Sequence, residues 1–242
     1  MVNKPNLNML LDDFQDSVDG VLGHWWTLHE LVPKDLPARR KISEDCLVSL
    51  MQLWETFRSD WQVYSVTRDS RRFVQHLEGK LQLEAARGIS RVPGASVTVH
   101  SGLGDHPTTQ EIRSILDAKG RNVTYSDRDE HDRAARQQLA DRQLRKAISL
   151  TDDDWRLLNL TKACRNVIAH RSKYSLREFN TAIHSIRESS LASDAHLGRR
   201  ETSVRMTGVG TYLYGSVNLP TMGQARVKHM GERLQGIGEK LR

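Results

Sequence analysis

The chain has 242 residues, enough for one domain with elaborations and a sizeable buried core, and its 38% hydrophobic and 27% charged residues suit a soluble protein. A formal net charge of +6 favours a polyanionic partner, because lysines and arginines that neutralise phosphates release condensed counterions. No apolar run approaches the length of a membrane span, and the opening MVNKPNLNMLLDDF lacks a basic segment, apolar core and cleavage site, so a cytoplasmic protein with no membrane contact is expected.

Leu7, Leu11, Phe14, Val18, Val21, Trp25, Leu28 and Val32 alternate spacings of four and three, which predicts a helix with a coiled-coil-like seam closed by Pro33 and Pro37, after a polar start at Asn3 to Asn8. Packing inside the chain's own bundle is the simpler use of that seam; binding a second copy or a partner is the other. Gly20 and Gly23 are read as marks of close helix approach. A second helix is expected from Ser43, where a hydroxyl cap precedes Glu44 and Asp45 at the positive end of the helix dipole. Leu47, Leu50, Trp54, Phe57, Trp61 and Tyr64 form its apolar stripe. Glu55 beside them is a solvated flank, a partner for an arginine, or a site residue. The pattern resumes through Phe73, Leu77 and Leu81, either as one long helix or bent around Arg68 to Arg72.

Residues 88–105, GISRVPGASVTVHSGLGD, change to loop chemistry with room for a brief strand or hairpin around Ser96 to His100, and are read as an insertion. Thr108 with Glu111 forms a capping box, Ile112, Ile115 and Leu116 give a buried face, and Gly120 is the expected stop. Residues 121–148 are densely charged and read as solvated helix faces, with Arg133, Arg136, Arg142, Arg145 and Lys146 able to grip an RNA backbone. Thr151 and Asp152 to Asp154 cap the next helix, whose stripe is Leu157, Leu160, Cys164, Val167 and Ile168. Ser175 with Glu178 suggests a further capping box before Phe179, Ile183 and Ile186. The segment GVGTYLYGSVNLP alternates with period two and predicts a short hairpin or an ordered tail. Val227, Met230, Leu234, Ile237 and Leu241 then mark an amphipathic helix able to clasp another subunit or an antitoxin, or to bind RNA. The division expected is a helical domain over 1–192 and a C-terminal loop, hairpin and helix over 193–242. Cys46 and Cys164 fall in helical patterns without ligand spacing and read as buried thiols.

The stretch Arg165-Asn166-Val167-Ile168-Ala169-His170 closes the stripe that runs from Leu157 to Ile168 with a permanently charged guanidinium, an amide and an imidazole that titrates near neutrality. On a helix Asn166 and His170 lie roughly 40° apart, whereas Arg165 lies about 140° from His170. Convergence therefore needs either a helix that ends near Ala169 or two copies facing across a two-fold axis. Arg71 to His76 has the same arginine-to-histidine spacing without the asparagine or the apolar centre.

RNVIAH matches the R-x4-6-H motif of the HEPN superfamily. Together with LWETF (Leu53 to Phe57), HPTTQEIRSILDAKG (His106 to Gly120) and WRLLNLTKACRNVIAH (Trp155 to His170), it resembles the RiboL-PSP-HEPN branch of prokaryotic defence and toxin proteins. The resemblance implies an all-α, HEPN-like helical bundle that forms a homodimer through its motif helices and cuts RNA without a metal or other cofactor. An antitoxin or defence-system protein is the further partner it implies. In that reading Arg165 clamps the scissile phosphate, Asn166 orients phosphate or histidine, and His170 is the general base or acid, with Arg171 and Lys173 as RNA contacts. The alternative is a non-catalytic HEPN-like dimer that binds RNA, a nucleotide or a partner as sensor or scaffold. No Walker loop, His-Glu-x-x-His or serine elbow is present.

Overall fold

The computed structural model describes residues 6–32, 35–89, 98–104, 106–198, 203–218 and 223–242. These residues form an all-α protein with one small ribbon. In order they are α1 (Leu7–Leu31), α2 (Leu36–Arg68), α3 (Arg71–Ile89), α4 (Thr109–Leu116), α5 (Arg128–Gln138), α6 (Asp141–Ala147), α7 (Asp152–His170), α8 (Lys173–Ile186), α9 (Ala192–Ala195), a 3-10 turn (Met206–Gly208), α10 (Val209–Tyr214), β1 (Ser216–Asn218), β2 (Gly223–Ala225) and α11 (Arg226–Glu239). The strands pair antiparallel with Ser216 opposite Ala225. Among the described residues no helix is long and apolar enough to cross a membrane.

Two compact units emerge: Met1–Leu10 with Arg58–Ser149, and Leu11–Phe57 with Leu150–Arg242. In the first, Trp61, Val66, Phe73, Ile112 and Leu139 are buried. The Arg58 guanidinium lies 5.4 Å from both the Trp61 and the Tyr125 ring and donates to Gln62. Arg113 pairs with Asp60 at 2.6 Å. His131 is fully buried; desolvation, with Arg58 and Arg128 adding, pushes its pKa down to about 3, so the ring is neutral and Nδ1 meets Asp132 at 2.9 Å. The charged stretch is therefore only half solvated, since α5 and α6 turn His131, Ala135, Gln143 and Ala147 inward. Thr108 and Glu111 make the expected capping box, but α4 stops at Leu116 and Gly120 instead carries a turn at φ +62°. Residues 98–104 contain no strand, and Ser96 and Val97 lie outside the described residues.

In the second unit the first seam is used internally: Phe14 stacks on Phe57 at 4.4 Å and meets the Trp54 edge at 6.0 Å. Leu22, not Val21, is the buried member midway, because an α-helix drifts by about 20° per heptad from a 3.5-residue repeat. Gly20 and Gly23 face open space, so the close-approach reading fails for them. Gly231 and Gly238 on α11 fill that role, where an added Cβ would lie 3.0 Å from Leu22 and 3.1 Å from Leu11. The α11 stripe Val227, Met230, Leu234, Ile237, with Leu241 after it, is buried within this chain, so it does not offer itself as a clasp.

Two other expectations change. The second helix begins at Leu36, with Pro37 in its first turn, where a missing N–H costs nothing. Ser43 lies inside it, donating to Arg39 O and accepting from Trp25 Nε1 at 3.1 Å. Pro33 lies outside the described residues. Of the two forms expected for α2 and α3, the one bent around Arg68 to Arg72 is found: the helices are separate, broken at Asp69 and Ser70. The segment GVGTYLY is mostly α10, and only Ser216 onward enters the ribbon; residues 219–222 lie outside the described residues.

Candidate active site

The residues of the candidate site belong to α2, α7, the turn at Arg171 and the start of α8, inside the second unit. Thr151 and Asp154 close a capping box at the start of α7, with Asp152 and Asp153 adding negative charge where the helix dipole is positive. The stripe Leu157, Leu160, Cys164 and Val167 is buried, while Ile168 is half-buried. Burial raises the Cys164 thiol well above its ordinary range, with the Glu44 charge adding, and raises Cys46 to about 12, so neither is a poised nucleophile.

The start of α7 is closed by bonds. Asp154 is fully buried and accepts from Lys240 at 2.5 Å and Arg233 at 3.2 Å. Burial alone would push its carboxyl up, but the hydrogen bonds from Lys240 and Thr151 outweigh it and hold it below the usual carboxylate range. Arg233 also donates Nε to Asp194 at 3.0 Å, and Asp194 meets His229 Nε2 at 2.9 Å. Asp153, held low by the Ser190 hydroxyl first, also takes Arg156 at 3.0 Å.

At the other end, Arg165 donates from Nη2 to Glu55 on α2. Their side chains are 27% and 23% exposed, so the pair is sheltered but reachable. This contact spans 110 residues and fixes the guanidinium through one nitrogen. Its other donors have no partner among the described residues. Asn166 is half-buried and His170 exposed, and neither side chain makes a hydrogen bond among the described residues. The helix runs through His170, and the chain reverses at Arg171, whose φ of 44° and ψ of 39° are left-handed while its N–H bonds Val167 O at 2.9 Å. That reversal comes after His170, so a bend at Ala169 does not bring the imidazole back over Arg165. The structure joins Arg165 to Glu55 and leaves His170 on another face.

Ser172, not Ser175, caps α8, with Ser175 as the third residue of the box. The expected Ser175 and Glu178 box fails because the chain re-enters helix immediately after Arg171. Arg171 and Lys173 are both exposed, and α8 has no acidic residue in its first turn. Lys173 therefore adds positive charge at the positive end of a helix dipole, which costs stability and attracts anions. The second arginine-to-histidine pair is unlike this one: Arg71 is bound to Asp69 at 2.6 Å, and His76 is half-buried, its pKa lowered by burial and then by Lys80. Among the described residues no three His, Cys, Asp or Glu side chains cluster as metal ligands.

Glu55 is the residue whose role the sequence left open. Its signal was its place beside the aromatic stripe, which told that it flanked the core but not which arginine it faced. Compared with known proteins, the chain matches no family model, no curated protein and no solved structure.

Proposed function

We propose that this chain is a metal-independent endoribonuclease of HEPN type, a toxin or defence effector that works as a homodimer with two α7 ends sharing one cleft. One observation carries the reading. Arg165 is oriented from a second helix by Glu55, while Asn166 and His170 on the same last turns keep their side chains without bonds among the described residues, next to the exposed Arg171 and Lys173.

Because Arg165 and His170 lie about 140° apart on one helix, two copies supply the groups that converge. One His170 takes the proton of a ribose 2′-hydroxyl, and that oxygen attacks the adjacent phosphorus in line. The 5′-oxygen leaves with a proton from the second imidazole, present as imidazolium. Arg165 steadies the charge growing on the phosphate oxygens, Asn166 orients them, and Arg171 and Lys173 hold flanking phosphates. The products end in a 2′,3′-cyclic phosphate and a 5′-hydroxyl, and DNA, lacking the 2′-hydroxyl, is not cut.

The test is incubation of the protein with total RNA and tRNA in EDTA beside His170→Ala, with the cut ends mapped. Cleavage lost in the variant, with cyclic phosphate ends, is the expected result. Cleavage that survives in His170→Ala would reject the assignment.

The neutralisation of Arg165 by Glu55 favours one second reading, a HEPN-like dimer that binds RNA, a nucleotide or a partner without cutting. It predicts RNA binding that is equal in the wild type and His170→Ala, with no cleavage by either.

A further inference from the structure

Between α1 and α2, within the second unit, runs an open groove of about 640 Å³. Val21 and Leu28 on one side and Ile42 and Leu53 on the other are half-buried along it, over the buried Trp25. The lining recurs at helical spacing from Ser17 to Leu28 and from Ile42 to Leu53, about 16 Å or three turns of each helix. Two helical walls with aliphatic side chains make a seat for a third helix that presents apolar anchors at i, i+3, i+4 and i+7. Gly20 widens it, since an added Cβ there would meet nothing within 4 Å.

The charge at this groove runs against that of the whole chain. The net charge is +6, yet α1 carries Asp12, Asp13, Asp16, Asp19 and Glu30 with no lysine or arginine. Arg242 takes Asp12 and Gln235 donates to Asp19. Asp13 and Asp16 are exposed, make no side-chain bond among the described residues, and stand one turn before Ser17 and Gly20 on the same face. A polyanion is repelled by such a rim; a cationic helix is matched by it.

We infer that the α1–α2 groove docks a basic amphipathic helix of a partner protein. The partner's aliphatic side chains lie between Val21 and Leu28 on one wall and Ile42 and Leu53 on the other, and its lysines or arginines lie over Asp13 and Asp16. Neither Arg165 nor His170 takes part, so the site stands or falls independently of ribonuclease activity.

The experiment is calorimetric titration of the full chain with a synthetic helix of about 18 residues, long enough for the three turns, bearing leucines on one face and lysines elsewhere. A second peptide has glutamate in place of each lysine. Expected are micromolar binding of the lysine peptide, none of the glutamate peptide, and weakening of at least about tenfold by Gly20→Leu. The double variant Asp13→Asn with Asp16→Asn weakens binding several-fold and flattens its salt dependence. Gly20→Leu fills open space with a better helix former, so its melting temperature stays level or rises, which separates blockage from misfolding. Equal affinity of Gly20→Leu, equal binding of both peptides, or no binding by the wild type overturns the proposal. So does a wild-type dimer that Gly20→Leu dissociates, or RNA binding that it weakens, since each assigns the groove to another occupant.

Discussion

The two ends of α7 treat their polar groups in opposite ways. At the start, Asp153 and Asp154 are buried and bonded to Arg156, Arg233, Lys240, Thr151 and Ser190. At the finish, Arg165 has one partner, while Asn166, His170, Arg171 and Lys173 have no side-chain partner among the described residues. A buried ion pair closed on all sides holds helices in register but has nothing left for a ligand. A side chain held at one point, or exposed without a bond, adds little to stability and remains available. The difference separates residues kept for folding from residues free to act, although the sequence places both sets on one helix.

The sharpest way to break this contrast is Asp154→Asn. It strips the carboxylate from Lys240 and Arg233, and a cost on the order of 3–5 kcal/mol is expected in the melting of the second unit. A loss within about 0.5 kcal/mol would show that the network does not hold α11 to α7.

Acid gives the next largest effect and separates the two units. Asp153 and Asp154 are held below their ordinary 3.8, so their contribution is complete above that value and is lost only as pH falls through the lower folded values. His131 in the first unit is depressed from 6.5 to about 3, so the unfolded chain takes up its proton first. Stability there falls as pH drops from 6.5 towards 3, by on the order of 4 kcal/mol in total. Hydrogen exchange across a pH series should show α5 losing protection before the first turn of α7; simultaneous loss would contradict this.

At the other end of α7, His170→Ala should lower RNA cleavage by about a thousandfold while leaving the melting temperature within the effect of a surface change, roughly 0.5 kcal/mol. A large stability loss would place His170 with the structural residues. Glu55→Gln keeps the shape but not the charge, and about a tenfold fall in cleavage is expected with less than about 1 kcal/mol lost from folding. Unchanged cleavage would mean that Arg165 needs no support from α2. The smallest effect is that of Arg171→Gly, which relieves a left-handed non-glycine residue and should raise stability by up to about 1 kcal/mol while weakening RNA binding slightly. Equal RNA affinity would remove Arg171 from the phosphate contacts.

Much of the architecture was legible because it rests on short-range chemistry. Thr108 with Glu111 and Thr151 with Asp154 act over three residues, and the α11 stripe from Val227 to Leu241 is buried as its spacing predicts. Errors arose where two local readings competed. Ser43 carries the signature of a cap, but its hydroxyl serves the Trp25 indole from inside a longer helix. GVGTYLY has the alternation of a strand, yet tertiary packing on α7 and α11 buries Val209, Tyr212 and Leu213 on a helix. Ser175 looked like a cap because the left-handed Arg171 that resets the chain cannot be foreseen from a side chain that rarely adopts it.

By itself the sequence determined the helical class, the caps at Thr108 and Thr151, the buried thiols at Cys46 and Cys164, and the placing of Arg165, Asn166 and His170 at the end of one helix. Periodicity and capping are properties of neighbouring residues. Only the tertiary structure decided that Glu55 reaches Arg165, that Asp154 gathers Lys240 and Arg233, that the glycines of close approach are Gly231 and Gly238, and that α1 and α2 leave a groove between them beside Gly20. Those pairings join residues from tens to more than two hundred positions apart, where many partners of equal chemistry compete and burial of the apolar stripes chooses among them.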